Sequence, residues 1–268
     1  MNFKSFDYTL HKYQKLCQAL QDTHTICTVY EYLSNKPEGA IAVLRHDVDY
    51  RYFVKKSLEM AELEFNMGIQ STYYFRYPYT FNPDIIRKIR NLGHEIGYHY
   101  EVLSKTKGDY QRAIILFQSE LEKFRMNCPI NTICMHGRPL SKYTNRDLWN
   151  VFAYENFGIT GEAYLSFERN KEDDFRYFTD TGRNWSGKYS LKDVLRTEPG
   201  KNDLLKNPAT TDDLILWLHQ GSGKNIYLTV HPERWSLHAG GWVVWTFLDF
   251  SMNMGKVILR AIKHRSPV

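Results

Sequence analysis

Residues 41–50 read IAVLRHDVDY, an apolar run that breaks abruptly into Arg45, His46, Asp47 and Asp49. A buried β-strand has this look where it leaves a parallel sheet. Alternate side chains of an extended segment share a side, so Asp47 and Asp49 point one way and His46 the other. Two carboxylates on one face repel unless a cation joins them or one keeps a proton. A divalent metal bound by one, with the other free as a base, resolves the conflict. A loop cap or an ion pair with an arginine resolves it as well.

Around this stretch the chain alternates. Before it, TLHKYQKLCQALQ and TVYEYLSNKPEG read as helix, turn, helix; after it, FVKKSLEMAELEFNMG has helical periodicity and a closing Gly. QSTYYFRY is strand-like, NPDIIRKIRNLG is a helix with Pro83 near its start, GHEIGYHYE is a strand and DYQRAIILFQSELEKFRM a helix. NTICMHGRP follows as strand and loop. DLWNVFAYENFG reads as helix, GITGEAYLSF and FRYFTD as strands, TTDDLILWLHQG as a helix and NIYLTVHPERW as a strand with its exit. Such alternation predicts βα units around a mostly parallel sheet, an incomplete β/α barrel in preference to an open sheet.

The chemistry-bearing residues gather at the same ends of these strands: Asp47 and Asp49, Arg76, His99 and Glu101, His136 and Arg138, Asp180, and His231. Barrels and open α/β sheets build sites there. In GHEIGYHYEVL, residues 93–103, His99 stands at the strand tip and suits a divalent ion, while Glu101 can ligate or orient the ring from outside. His94 opens the strand and reads as structural; Glu95 is expected to pair with an arginine beneath the site. In CMHGRP, His136 can complete an Asp/His/His set with Asp49 and His99, and Arg138 can steady Asp47. In LTVHPERW, His231 can protonate a leaving amine, with Asp180 holding its ring and Trp235 and Trp185 walling the cleft. A capped turn or a core histidine explains each motif taken alone.

Composition narrows the classes. The 268 residues carry a net charge of +5 with basic and acidic groups interspersed, and no basic tract or zinc-finger spacing points to nucleic acid. Neither a GxGxxG nor a P-loop appears. Four cysteines without CxxC spacing, and a polar N-terminus without a signal-like apolar stretch, lead us to expect a cytoplasmic protein with reduced thiols. No apolar stretch is long enough for a transmembrane segment. We expect one domain over 1–268, with N-terminal helices at 7–35, a barrel core at about 40–235 and a C-terminal helix at about 242–264. That last helix is expected to pack on the body; a membrane-surface or homodimer helix is its other reading, and the oligomeric state stays open.

HDVD early, GHEIGYH two βα units later, a strand-end Arg-Pro and a late strand ending in His resemble the NodB-type polysaccharide deacetylases of carbohydrate esterase family 4. The resemblance covers roughly residues 40–235. It implies an incomplete (β/α)7 barrel and a divalent metal, zinc first with cobalt or nickel as alternatives. It also implies hydrolysis of an N-acetyl or related amide on a carbohydrate or nucleotide-linked sugar, as in surface polysaccharide biosynthesis. Carried over residue by residue, Asp47 becomes the general base, Asp49 and His99 metal ligands, and His231 the general acid. The chain departs from the pattern in three places. DVD replaces adjacent aspartates, Leu103 stands where the family has its second metal histidine, and GRP follows CMH where the family has RPPYG. A third ligand must then come from elsewhere, His136 first and Glu101 second. An amidase acting on a non-sugar C–N bond, and an inactive carbohydrate-binding or assembly protein, are the alternatives.

Overall fold

The computed structural model describes residues 6–138, 140–169, 175–190, 192, 195, 207–221 and 223–265, with the backbone alone at 256 and 258–265. The IAVLRHDVDY stretch forms the strand Ile41–Val48, and every residue of it is buried. It is the second strand in chain order, after a short one at Thr25–Cys27. We number them β2 and β1. The others are β3 Thr72–Phe75, β4 Glu95–Tyr100, β5 Thr132–Met135, β6 Gly161–Glu162, β7 Phe175–Thr179 and β8 Asn225–Val230. The helices are α1 Leu10–Thr23, α2 Val29–Asn35, α3 Val54–Asn66, α4 Pro83–Asn91, α5 Val102–Lys105, α6 Tyr110–Arg125, α7 Leu165–Arg169, α8 Thr211–His219 and α9 Ala239–Arg265.

The strands hydrogen-bond in the order β6-β5-β4-β3-β2-β8-β7, all parallel. Chain neighbours pair along the path except β6 and β7, which are the two ends of the curled sheet, while β2 and β8 pair across the chain. This is the incomplete β/α barrel that the alternation predicts, with the seven strands along its path that the resemblance implies. β1 is an addition: it pairs Thr25–Cys27 with Ile41–Val43, below the point where β3 takes over that edge of β2. Three residues, TIC, are too few to read as a strand by themselves and become one through this pairing.

Local chemistry sets the helix starts. Thr9, Thr28, Asn82 and Asp109 each accept a backbone N–H of the first turn, and Thr210 with Asp213 forms a reciprocal capping box before α8. Two expectations fail for equally local reasons. DLWNVFAYENFG is not one helix but two 3-10 turns, Asn145–Asn150 and Tyr154–Phe157. The Asn145 amide bonds His136 O and Ser104 N instead of continuing a helix. GITGEAYLSF is a two-residue strand followed by α7, because the Glu162 carboxylate accepts the N–H groups of Tyr164 and Leu165 at 2.8 Å each and caps the helix.

The two faces of β2 do different work. Outward, His46 bonds Glu64 of α3 at 2.7 Å, and Glu64 also accepts from Tyr13, Ser71 and Tyr73. Inward, Arg45 is fully buried in the barrel, donating to Thr229 Oγ1 at 2.8 Å and Cys134 Sγ at 2.9 Å, with its guanidinium 4.4 Å from the Tyr164 ring.

Candidate metal centre

The strand period places Asp47 and Asp49 on the barrel side above Arg45. Asp47 Oδ2 lies 3.5 Å from Arg45 Nη2. Arg45 therefore holds the position expected of Arg138, whose side chain is 47 % exposed and, among the described residues, reaches only Glu101, at 3.9 Å. Arg45 and Asp47 are two residues apart on one strand, so the same face presents both. Arg76, at the end of β3, fixes the next turn by donating to the backbone carbonyl of Asp49 at 2.8 Å.

Three imidazoles converge on Asp49. His99 Nε2 is 3.3 Å from Asp49 Oδ1, His136 Nε2 is 3.7 Å from the same oxygen, and His231 Nε2 is 3.9 Å from Oδ2. In each ring the other nitrogen is held by an acceptor. His99 Nδ1 faces the Cys134 carbonyl at 3.0 Å, His136 Nδ1 faces Glu101 at 3.1 Å, and His231 Nδ1 faces Asp180 at 2.5 Å. A carbonyl or carboxylate accepts only, so Nδ1 carries the proton and Nε2 is the atom turned to the centre. Glu101 spends its other oxygen on Arg76 at 2.9 Å, which places it behind His136.

The electrostatics agree with this geometry. Burial pushes the Asp49 carboxyl up, but His136 and His99, with His231, hold it well below the usual range. Burial also raises Glu101, and His136 and Arg76 bring it down to about 2. Burial and Arg234 oppose a charge on His231; Asp180 and Asp49 outweigh them and raise it to about 9.

A divalent cation fits. Asp49 Oδ1 is buried yet makes no hydrogen bond of normal geometry. Two ligands about 2 Å from a tetrahedral ion lie about 3.3 Å apart, close to the Asp49–His99 and Asp49–His136 separations. A second set overlaps it: Asp47, His99 and Cys134 are buried, with ligand-type atoms all within 4.8 Å of one another. Cys134 is a residue the sequence reading missed, although it stands two residues before His136 on the inward face of β5. The Arg45 guanidinium touches both Cys134 and Asp47, so a dication placed between them would meet a fixed positive charge. In the Asp49, His99 and His136 set an arginine is also near, Arg76, bonded to the Asp49 backbone carbonyl at 2.8 Å and to Glu101 at 2.9 Å.

Several expectations are corrected. Glu95 pairs with no arginine among the described residues; Thr72, Thr132 and the Tyr30 N–H bind its carboxylate. Trp235 and Trp185 are 1 % exposed and do not wall the cleft. Trp235 donates to Asp180 at 2.9 Å and Trp185 to Thr211 at 3.1 Å. Leu103 lies in α5 inside the core and reaches no ligand position. The cleft itself, about 320 Å³, is lined by Asp47, Asp49, His99, His136 and His231, with Tyr50, Leu140 and Met252 as apolar surfaces and Arg138 at the rim.

No protein-family model matches the chain, and no curated protein matches it in sequence. Among solved structures it is similar to the Xyl-CE4 domain of a multidomain xylanase from the hindgut metagenome of Trinervitermes trinervoides, at 11 % identity, covering 85 % of each chain, with a TM-score of 0.39. It is similar to a CE4 esterase of Streptococcus mutans at 14 % identity, covering 94 % of this chain and 92 % of that one, with a TM-score of 0.43. A mutant CE4-family pseudoenzyme with restored enzymatic activity is 10 % identical over 82 % of this chain and 64 % of that one, with a TM-score of 0.37.

Proposed function

We propose that the chain is a metal-dependent hydrolase that removes an N-acetyl or related acyl group from a carbohydrate or nucleotide-linked sugar. The observation that carries this reading is the convergence of three imidazole Nε2 atoms on the buried Asp49, beside a second carboxylate, Asp47. Asp49, His99 and His136 would hold the cation, zinc first and cobalt or nickel as alternatives. A divalent ion bound there supplies an electrophile for an amide carbonyl and a nucleophilic water near neutral pH.

The chain's own groups do the rest. Asp47, backed by Arg45, accepts the proton of the attacking water. His231 stands across Asp49 with its Nε2 toward the cleft, and Asp180 keeps it charged, so it protonates the departing nitrogen. Each such transfer contributes ~10²–10⁴-fold. Glu101 orients His136 and, with Arg76, fixes the floor of the site. Arg138 at the rim is placed to meet a polar group of the substrate. Tyr50 and Leu140 offer the apolar faces that a sugar ring or another small acylamide needs.

Leu103 favours a second reading, a carbohydrate-binding or assembly protein without turnover, because the family's second metal histidine is missing. Metal content after mild purification, followed by acetate release from a panel of N-acetylated sugars, separates the two. Under our reading Asp47→Asn keeps its metal and loses turnover by roughly 10²-fold or more, whereas His99→Ala loses both. Undiminished turnover in Asp47→Asn would defeat the mechanism. A wild-type chain that binds glycans but no zinc, cobalt or nickel supports the second reading.

A further inference from the structure

Two arginines line the cleft, and the protein answers the charge of one of them. Arg234 places Nη1 3.1 Å from Asp180 Oδ1 and Nε 3.4 Å from Asp249 Oδ1, so buried carboxylates neutralise it. Arg138, at the rim, is different. Among the described residues its nearest carboxylate is Glu101, at 3.9 Å, too far for a hydrogen bond. Glu101 is also committed elsewhere: Oε1 accepts from Arg76 at 2.9 Å, and Oε2 faces His136 Nδ1 at 3.1 Å. The Arg138 fork therefore keeps its N–H donors for something outside the described residues.

The backbone gives a second, independent sign. Arg138 holds φ at 27°, on the left-handed side that a residue with a Cβ occupies only at a cost. The turn is pinned on both flanks. His136 N donates to the Tyr100 carbonyl at 2.8 Å, the Asn145 amide binds the His136 carbonyl at 2.8 Å, and Ser141 N donates to the Arg138 carbonyl at 3.0 Å. These bonds fix the direction in which the arginine leaves the loop, and that direction is the cleft wall. The acids of the same wall, Asp47 and Asp49, have cationic neighbours of their own in Arg45 and the three imidazoles. An anion arriving at the rim thus meets an unpaired guanidinium first.

We propose that Arg138 selects an acylated sugar that carries an oxyanion, a carboxylate or a phosphate, gripping it through the paired N–H groups while the acyl group lies at the Asp49 centre. This rests on the hydrolase reading and narrows its substrate from carbohydrates at large to charged ones. Carboxylate and phosphate match the guanidinium fork bidentately, whereas a neutral sugar offers only single hydroxyls.

Binding and turnover test this separately. Three probes suffice: N-acetylglucosamine, its 1-phosphate and N-acetylglucosaminuronic acid. Binding is measured by calorimetry on the full chain carrying Asp47→Asn, so that no probe is consumed. At least one charged probe should bind about tenfold or more tighter than the neutral one, and Arg138→Gln should bring that ratio close to one. Arg138→Lys keeps the charge without the fork and should fall between. Whichever charged probe shows the Arg138-dependent gain identifies the anion. With Asp47 restored, acetate release should show the same preference, carried by KM more than by kcat. Equal binding of all three probes overturns the proposal. So does a preference that survives Arg138→Gln, since the metal alone then accounts for it, and so does a variant that weakens all three probes alike. Arg138-dependent binding without acetate release supports the anion site and removes the hydrolase reading. Acetate released from all three with equal kcat/KM keeps the hydrolase and removes the anion site.

Discussion

Asp180 grips His231 at two points. Its Oδ1 lies 2.5 Å from the ring Nδ1, and its Oδ2 accepts the His231 backbone N–H at 3.0 Å. The two residues are far apart in the chain and come together because β7 and β8 end side by side. Arg234 at 3.1 Å and the Trp235 indole at 2.9 Å complete the shell around the carboxylate. The aspartate thus fixes both the direction and the charge of the imidazole.

Replacing Asp180 by Asn should pull the alkaline limb of the pH–rate profile toward lower pH. Burial and Arg234 already oppose a charge on His231, and without the carboxylate they are less opposed. A raised histidine pKa stabilises the folded state fully below its ordinary value of 6.5, and that contribution is lost as pH rises through about 9. The wild-type melting temperature should therefore fall more steeply than that of Asp180→Asn between these limits. Parallel pH–rate curves for the two proteins would remove Asp180 as the tuning group.

The overlapping ligand sets make opposite forecasts. With the cation at Asp49, His99 and His136, His136→Ala should weaken zinc binding by at least tenfold, while Cys134→Ser leaves it nearly unchanged. With the cation at Asp47, His99 and Cys134, the ranking reverses. Titration of zinc against a competing chelator reads either result directly, and substrate is not required.

Glu101 offers a finer test of the same centre. Its carboxylate lies 3.1 Å from His136 Nδ1 and holds a formal charge behind the ring. Glu101→Gln preserves the shape but removes that charge, and losses of such partners typically cost ~10–100-fold in metal affinity. The expected outcome is a zinc affinity between those of the wild type and His136→Ala. An affinity equal to the wild type would reduce Glu101 to a structural partner of Arg76.

The parts of this site that the sequence made legible are those governed by the two-residue period. Asp47 and Asp49 share a side, His46 faces away, and His99 sits at its strand tip because an extended chain leaves no other arrangement. The same rule contains Arg45, named in the opening stretch without a role beside Asp47, and Cys134, which an apolar-looking strand interior hides. What the period could not supply was pairing at a distance. β1 exists only against β2, and Glu162 ends its strand through bonds to residues that follow it. The trade of Arg138 for Arg45 beside Asp47 depended on which arginine the barrel encloses. The apolar segment of α9 is legible in the sequence, but only its polar anchors, Asp249 on Arg183 at 3.1 Å and Asn253 on the Gly182 carbonyl at 2.9 Å, show which side faces in.

Glu64 carries the last prediction, which concerns the fold and leaves the chemistry aside. This carboxylate of α3 is fully buried and joins α1, β2 and β3 through Tyr13, His46 and Tyr73. Burial raises its pKa, but His46 at 2.7 Å, with His94 and Ser71, brings it down from 4.5 to about 2. A depressed carboxyl stabilises the native state above its ordinary pKa, and the benefit is lost as pH falls through the depressed one. The shift corresponds to ~3 kcal/mol at neutral pH. Glu64→Gln should lose a comparable share of stability in urea at pH 7, and its stability should then fall less than that of the wild type between pH 4.5 and 2. The histidines Glu64 binds lie on the outer side of the sheet, so zinc affinity should survive wherever the variant stays folded. Loss of metal from a fully folded Glu64→Gln chain would show that the outer carboxylate sets the position of Asp47 and Asp49 through β2.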